Sequence, residues 1–317
     1  MASIRQLARK GFLFALLSAL FAAAPVRADI LYVTNINNST IEKFTSGGVG
    51  SVFASTGLSA PQGIAFDSVG NVYAANVSSN AIEKFTPGGV GSVFATSGLD
   101  SPQGLAFDSA GNLYVANYLG GNIVKFTPGG VGSVFASSGL THPRGLAFDT
   151  VGNLYVSNFD SSTGSTIEKY TPGGVASVFA TNASSGGALG VPYGLAFDSV
   201  GNLLVANSIG GNIVKITPGG VISLFNHTAS SSPDGIAFDS AGNLYASNQS
   251  SDSIEEFTPG GVGSVFASSG LSGGRFLAFT NDAGVPLALA NTPEPASLSL
   301  LALTGLALLR RTRRRTA

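Results

Sequence analysis

The string Pro-x-Gly-(Leu/Ile)-Ala-Phe-Asp occurs at 61–67, 102–108, 143–149, 192–198 and 233–239. A degraded sixth copy reads Gly274-Arg275-Phe276-Leu277-Ala278-Phe279-Thr280. The last positions of the copies step by 41, 41, 49, 41 and 41 residues. A period this strict means that each repeat is one supersecondary unit, which buries its apolar faces only by stacking on its neighbours. After each of the first five copies comes Ser/Thr-x-Gly-Asn, then a strand such as Leu113-Tyr114-Val115-Ala116. A loop, a strand such as Ile123–Phe126, the turn Thr-Pro-Gly-Gly and a strand such as Ser133–Ala136 complete the unit.

Each unit therefore holds four short strands. In Asp108-Ser109-Ala110-Gly111, Asp starts a type I turn and Gly takes the position that tolerates φ > 0. Pro128-Gly129 fits the two central positions of a type II turn. Leu146 and Phe148 share one face of the inner strand while Ala147 lies on the other, so large residues of one sheet meet small residues of the next. Four-stranded sheets at this period predict an all-β fold, a six-bladed β-propeller. A solenoid is disfavoured by the absence of polar caps at either end. Leu31–Val33, Ile41–Thr45 and Ser51–Ala54 make three outer strands without an inner one, and Phe276–Thr280 is an inner strand left over. Three N-terminal strands and one C-terminal strand are expected to share the sixth blade, which removes exposed edges.

Composition narrows the function. Charged residues are 10% of the 317, against about 25% in an ordinary soluble domain. There is no cysteine, so no disulfide or thiolate nucleophile, and only two histidines. Residues 1–28 carry four basic groups and 310–315 five arginines, which leaves 16 − 9 = 7 basic groups against 17 acids between them. That acidic middle argues against a nucleic-acid partner.

The ends read as addresses. Arg5, Arg9 and Lys10, the apolar run Phe12–Ala24, and Val26-Arg27-Ala28 before Asp29 have the layout of a secretory signal peptide, cut between Ala28 and Asp29. The domains expected are a signal peptide over 1–28, a propeller over 29–291 and a tail over 292–317. In the tail, Pro293-Glu294-Pro295 precedes the apolar Ala296–Leu309 and the cluster Arg310-Arg311-Thr312-Arg313-Arg314-Arg315. Fourteen helical residues span about 21 Å, short for a hydrocarbon core of about 30 Å. The arginines favour the cytoplasmic side. The tail resembles the PEP-CTERM sorting signal. That resemblance implies an exported bacterial protein, inserted briefly in the inner membrane as a short transmembrane helix. An exosortase-type protease would then process it near Pro293, Glu294 and Pro295 and release it to the cell surface or exopolysaccharide matrix. A plain membrane anchor is the alternative.

The unit Pro-x-Gly-Leu-Ala-Phe-Asp-Ser-x-Gly-Asn-Leu-Tyr-Val-Ala-Asn resembles the NHL repeat over residues 31–280. It carries Asn76, Asn117, Asn158, Asn207 and Asn248 where that family commonly has Asp, which makes a ring of metal-binding carboxylates less expected there. The resemblance implies a propeller that binds proteins, nucleic acids or other ligands. Relatives of the same shape include lactonases and lyases, and fold does not choose among them.

The repeated Asp67, Asp108, Asp149, Asp198 and Asp239 read as turn formers, and the repeated Asn and Phe as structural. More information lies where one unit departs from its siblings. The x of Pro-x-Gly, at one mouth of the central channel, is Gln62, Gln103, Arg144, Tyr193, Asp234 and Arg275 in turn. The third unit carries the extra length: Phe159–Thr166 is three residues longer than Tyr118–Asn122, and Thr181–Val191 five longer than Ser137–His142. Tyr118, Arg144, Phe159, Tyr193, Asp234 and Arg275 are the candidate ligand-binding residues. Aromatics beside Arg suit a sugar or peptide segment. A plug of the channel is the other reading. No catalytic residue, metal ligand or cofactor is assigned. A lactonase needs several oxygens around a cation, and the mouth offers one carboxylate, Asp234. A streptogramin-lyase-like enzyme needs a His-centred acid–base site, for which His142 and His227 lie in mouth loops but outside the x positions. The expected function is a non-enzymatic surface or matrix binding protein. A propeller enzyme and a purely structural matrix protein are the alternatives.

Overall fold

The computed structural model describes residues 29–182, 186, 189–228, 232–281 and 284–287. Residues 1–28, expected to be a signal peptide, the expected sorting tail over 292–317 and much of the 181–191 insertion lie outside the described residues. Among the described residues no helix is long and apolar enough to cross a membrane.

The described strands form six four-stranded antiparallel sheets arranged as a ring. Blade 1 comprises Pro61–Phe66, Val72–Asn76, Ala81–Phe85 and Gly91–Ala95 from the axis outward. Blades 2 to 5 repeat this order, with inner strands Pro102–Phe107, His142–Phe148, Pro192–Phe197 and Pro233–Phe238. Blade 6 is built from both ends of the chain. Its inner strand Gly274–Asn281 pairs with Asp29–Asn35, placing Tyr32 opposite Ala278 and Val33 opposite Leu277. Thr40–Phe44 and Gly50–Ala54 complete it. The six-bladed propeller and its two-ended blade are as the repeat predicts.

The core is a set of seams between blades. Leu146 and Phe148 pack with Tyr114 and Ala106 of blade 2, while Ala147 packs with Leu195 of blade 4. A strand-two tyrosine wedges five of the six seams, and Leu204 takes its place between blades 4 and 5. Tyr114 meets Phe135 of its own blade and Phe148 of the next edge-on, both at 5.0 Å between centroids. Tyr32, Tyr73, Tyr155 and Tyr245 repeat this geometry. Each such aromatic pair contributes about 1 kcal/mol beyond area burial.

One turn differs from expectation. In Thr127-Pro128-Gly129-Gly130 the positive φ, +81°, falls on Gly130 and not on Gly129. Gly130 N–H donates to the Thr127 carbonyl at 2.9 Å and Thr127 N–H to the Val131 carbonyl at 3.0 Å. This is a three-residue hairpin loop, a type I turn followed by a left-handed glycine, whose twist matches the strands better than type II. Asp108–Asn112 uses the same geometry, with Gly111 at φ +79°.

Candidate functional site

The Pro-x-Gly string is explained by where the inner strand sits. That strand is the sheet edge lining the channel, so a proline there forfeits no ladder bond. Its pairing with the second strand is interrupted between Pro143 and Leu146, and at the matching positions of blades 1, 2, 4 and 5. The x residue and the glycine fall in that interruption, and a bulge of this kind re-aims a side chain. The glycine permits close approach. A Cβ on Gly104 would lie 2.0 Å from the Arg144 carbonyl oxygen, and one on Gly63 1.9 Å from that of Gln103. The inner strands of blades 1 to 5 thus each seat this glycine against the x carbonyl of the next blade, and blade 6 carries Phe276 in its place.

The x side chains of blades 3 to 6 meet. The Arg144 guanidinium lies 3.9 Å from the ring centroid of Tyr193 (blade 4), 5.1 Å from Tyr118 (blade 2) and 5.0 Å from Phe159 (blade 3). Arg275 stands 6.0 Å from Tyr193 and pairs through Nη1 with Asp234 Oδ2. All six candidate residues therefore belong to one constellation. Arg144 is only 7% exposed and Asp234 fully buried, whereas Tyr118, Phe159, Tyr193 and Arg275 are half-buried. Gln62 and Gln103 are buried in the neighbouring blades. Burial pushes the Asp234 carboxyl up, against the pull of Arg275 and Ser208. Burial also raises the Tyr193 phenol, partly offset by Arg144.

His142 joins this group, 4.8 Å from the Tyr118 ring and 6.1 Å from Phe159, with Nδ1 3.3 Å from the Phe159 carbonyl oxygen. His227 does not. It ends Ile222–His227, the outermost strand of blade 4, and is exposed.

The sequence reading missed three hydroxyls that set the mouth. Ser157 Oγ donates to the Tyr193 carbonyl at 2.6 Å and accepts from Gly145 N–H at 2.7 Å. Ser247 bonds the Arg275 carbonyl, and Thr34 the Gln62 carbonyl at 2.5 Å. The other three blades have Ala75, Ala116 and Ala206 at this position. The exchange of Ala for Ser just before the repeated Asn was the available signal.

The repeated polar residues do structural work. Asp108 Oδ1 accepts from Ala110 and Asn112 N–H, and its Oδ2 from Asn112 Nδ2. Asn117 Oδ1 accepts from Asp100 N–H while Nδ2 donates to the Gly98 carbonyl. An aspartate there could accept but not donate. No group of three His, Cys, Asp or Glu converges among the described residues. Asp234, committed to Arg275, and His142 do not form the oxygen-rich set a hard cation needs. A cavity of about 210 Å³ lies between blades 3 and 4, walled by Asp149, Tyr155, Lys169, Phe197 and Pro218. Its lining follows the repeat template, so nothing there breaks the pattern.

The fold and mouth define a six-bladed β-propeller with an arginine held among aromatics at one end of its channel. Solved structures of that fold resemble it. A catalytically inactive virginiamycin B lyase from Staphylococcus aureus with quinupristin matches with TM-score 0.59 and 16% identity, covering 82% of this chain and 94% of the other. A gluconolactonase from Xanthomonas campestris matches with TM-score 0.58 and 17% identity over 70% and 82%. At these identities the likeness is one of fold. No family model and no curated protein sequence matches the chain.

Proposed function

We propose that this is an exported, non-enzymatic binding propeller of the cell surface or exopolysaccharide matrix, taking its ligand at the Arg144 mouth. The observation that carries this reading is the convergence of Tyr118, Phe159 and Tyr193, from three blades, on one buried guanidinium. Seam packing is nearly the same in every blade, so packing does not call for these residues. Flat apolar faces beside charged and amide groups suit a glycan or a peptide segment. The test is retention on host exopolysaccharide. Arg144→Ala and Tyr193→Ala should each weaken it at least tenfold, as aromatic and arginine anchors commonly do, while Gln62→Ala does much less. Equal small effects at all three would leave the mouth a plug and favour a purely structural matrix protein.

The address belongs to the same proposal. Residues 1–28 act as a signal peptide, and the 292–317 tail as a PEP-CTERM signal handled by an exosortase-type protease. Intact mass of surface material should lack roughly the last 20 residues, since a membrane-embedded apolar tail holds the chain back. Full-length mass there would refute the processing step.

One observation favours a second reading, a lyase-type enzyme. His142 sits between Tyr118 and Phe159 beside Arg144, and propellers of this shape include a virginiamycin B lyase. Turnover of quinupristin that is lost in His142→Ala would establish it.

A further inference from the structure

The ring of x residues holds more positive than negative charge. Arg144 and Arg275 face one carboxylate, Asp234, and Asp234 Oδ2 is taken by Arg275. Any proton gained by Asp234 only widens the excess. Arg144 is given aromatic faces and no hydrogen-bonded carboxylate among the described residues. Stacking offsets part of the charge, yet it covers the flat faces of the guanidinium, and the N–H donors project from its edges. Two of those groups, Arg144 Nε and Nη1, are buried without a partner. Arg275 Nε is in the same state. So, on the acceptor side, are Asp234 Oδ1, Gln62 Oε1 and Gln103 Oε1. Four of these five residues are more than nine-tenths buried. Buried donors and acceptors left unmatched are costly, and a buried cation without a counter-charge more so. The missing partner must supply negative charge to the guanidinium edges and hydroxyl donors to the amide and carboxylate oxygens.

We infer that the axial ring is a carboxylate site, built for an acidic sugar such as a uronate unit of an exopolysaccharide. This deepens the binding reading above and rests on it. The arginine fork matches a carboxylate through two parallel bonds, which a lysine could not supply. Gln62, Gln103 and Asp234 Oδ1 accept from sugar hydroxyls. Tyr118, Phe159 and Tyr193 are the half-buried collar around Arg144, and entry requires one of them to swing aside.

The test titrates the full chain by calorimetry with D-glucuronate, acetate and D-glucose at low and high salt. Glucuronate is expected to bind, more weakly at high salt, and Arg144→Gln to weaken it at least tenfold, with thermal melting as the folding control. If that variant fails to fold, competition between acetate and glucuronate on the wild-type protein gives the same answer. Binding of both anions supports a site that reads the carboxylate alone. Binding of glucuronate but not acetate supports the sugar acid. Glucose binding as tightly as glucuronate, or no anion binding, overturns the site. Retention on a neutral glycan with no response to glucuronate would sink the carboxylate site and spare the binding reading. Glucuronate binding without retention on any glycan would keep the carboxylate site and overturn the matrix as the source of its ligand.

Discussion

Gly145 lies under the Tyr193 carbonyl so closely that a Cβ would sit 2.0 Å from the oxygen. Ser157 Oγ bridges the same two residues, accepting from the Gly145 N–H and donating to the Tyr193 carbonyl. The inner strands of blades 3 and 4 are thereby locked at the level where Arg144 meets Tyr193. Gly145→Ala must push apart two backbones, which no side-chain rotation can relieve. We expect a loss of at least about 2 kcal/mol, read by chemical denaturation. Gly129→Ala, whose Cβ would meet only Thr127 Oγ1 at 3.9 Å, should be nearly neutral.

Ser157→Ala leaves the volume almost unchanged and removes both hydrogen bonds. The buried Tyr193 carbonyl and Gly145 N–H then lose a partner, at about 1–3 kcal/mol. Ala116→Ser, which places the same hydroxyl in blade 2 facing the Arg144 carbonyl, should give some of that back. A destabilisation by Ser157→Ala below about 0.5 kcal/mol would show that the bridge is incidental.

The ring and its closure were legible because period and turn chemistry recur six times, and noise in one copy is corrected by the others. Tyr118, Arg144, Phe159 and Tyr193 stood out as breaks in a strict pattern. The contact of Arg144 with Tyr193 follows from ring order, because x positions of consecutive units must be neighbours, while Tyr118 and Phe159 reach them from the residue after the repeated Asn. Burial was not legible: a string that reads as a channel mouth does not tell that Arg144 is sealed beneath its aromatics. The turn at Pro128 was misplaced because two successive glycines both accept a positive φ, and hairpin twist chooses the second. Ser157 and Ser247 were overlooked because Ser for Ala is a mild change in composition. Its meaning comes from a carbonyl of the next blade.

Buried carboxylates give a pH dependence. Glu42, Glu83 and Glu168 occupy one position of the third strand, 4–7% exposed, and burial raises each above the ordinary Glu range. Blades 2 and 4 carry Val124 and Val214 there. A raised folded-state pKa means that the native protein binds more protons than the unfolded chain. These groups therefore favour folding fully below the unfolded Glu value of about 4.3, and that contribution is lost as pH rises through the folded value. Glu83→Gln should be more stable than wild type at neutral pH, with the difference vanishing near pH 4. Melting temperatures of the two proteins between pH 4 and 8 measure this. A constant difference across that range would refute the burial effect.

The two-ended blade predicts a sharp consequence of truncation. Removing 274–281 takes away the partner of Asp29–Asn35 and leaves its ladder groups on an open edge. It also removes Leu277 and Phe279 from the seam with Tyr245. Aggregation and loss of a cooperative melt are expected, checked by size-exclusion chromatography and calorimetry. A soluble, cooperatively melting truncation would mean that the ring does not need this strand.

The Arg144–Tyr193 stack separates the two roles open to the mouth. The phenyl face, not the hydroxyl, lies 3.9 Å from the guanidinium. Tyr193→Phe should therefore keep both stability and ligand retention within about twofold. Tyr193→Leu keeps apolar bulk but loses the negative ring face, and a desolvated cation–π contact is worth about 2 kcal/mol. That cost should appear as lost stability in the wild-type background. It should largely vanish when Arg144 is already Gln, because the cation that needed the face is gone. A double-mutant cycle isolates this coupling. Ligand retention adds the decisive comparison. If Tyr193→Leu costs stability but leaves retention untouched, the stack only shelters a buried arginine and the mouth is a plug. If retention falls with the stack while Tyr193→Phe stays normal, the aromatic face is holding the guanidinium for a ligand.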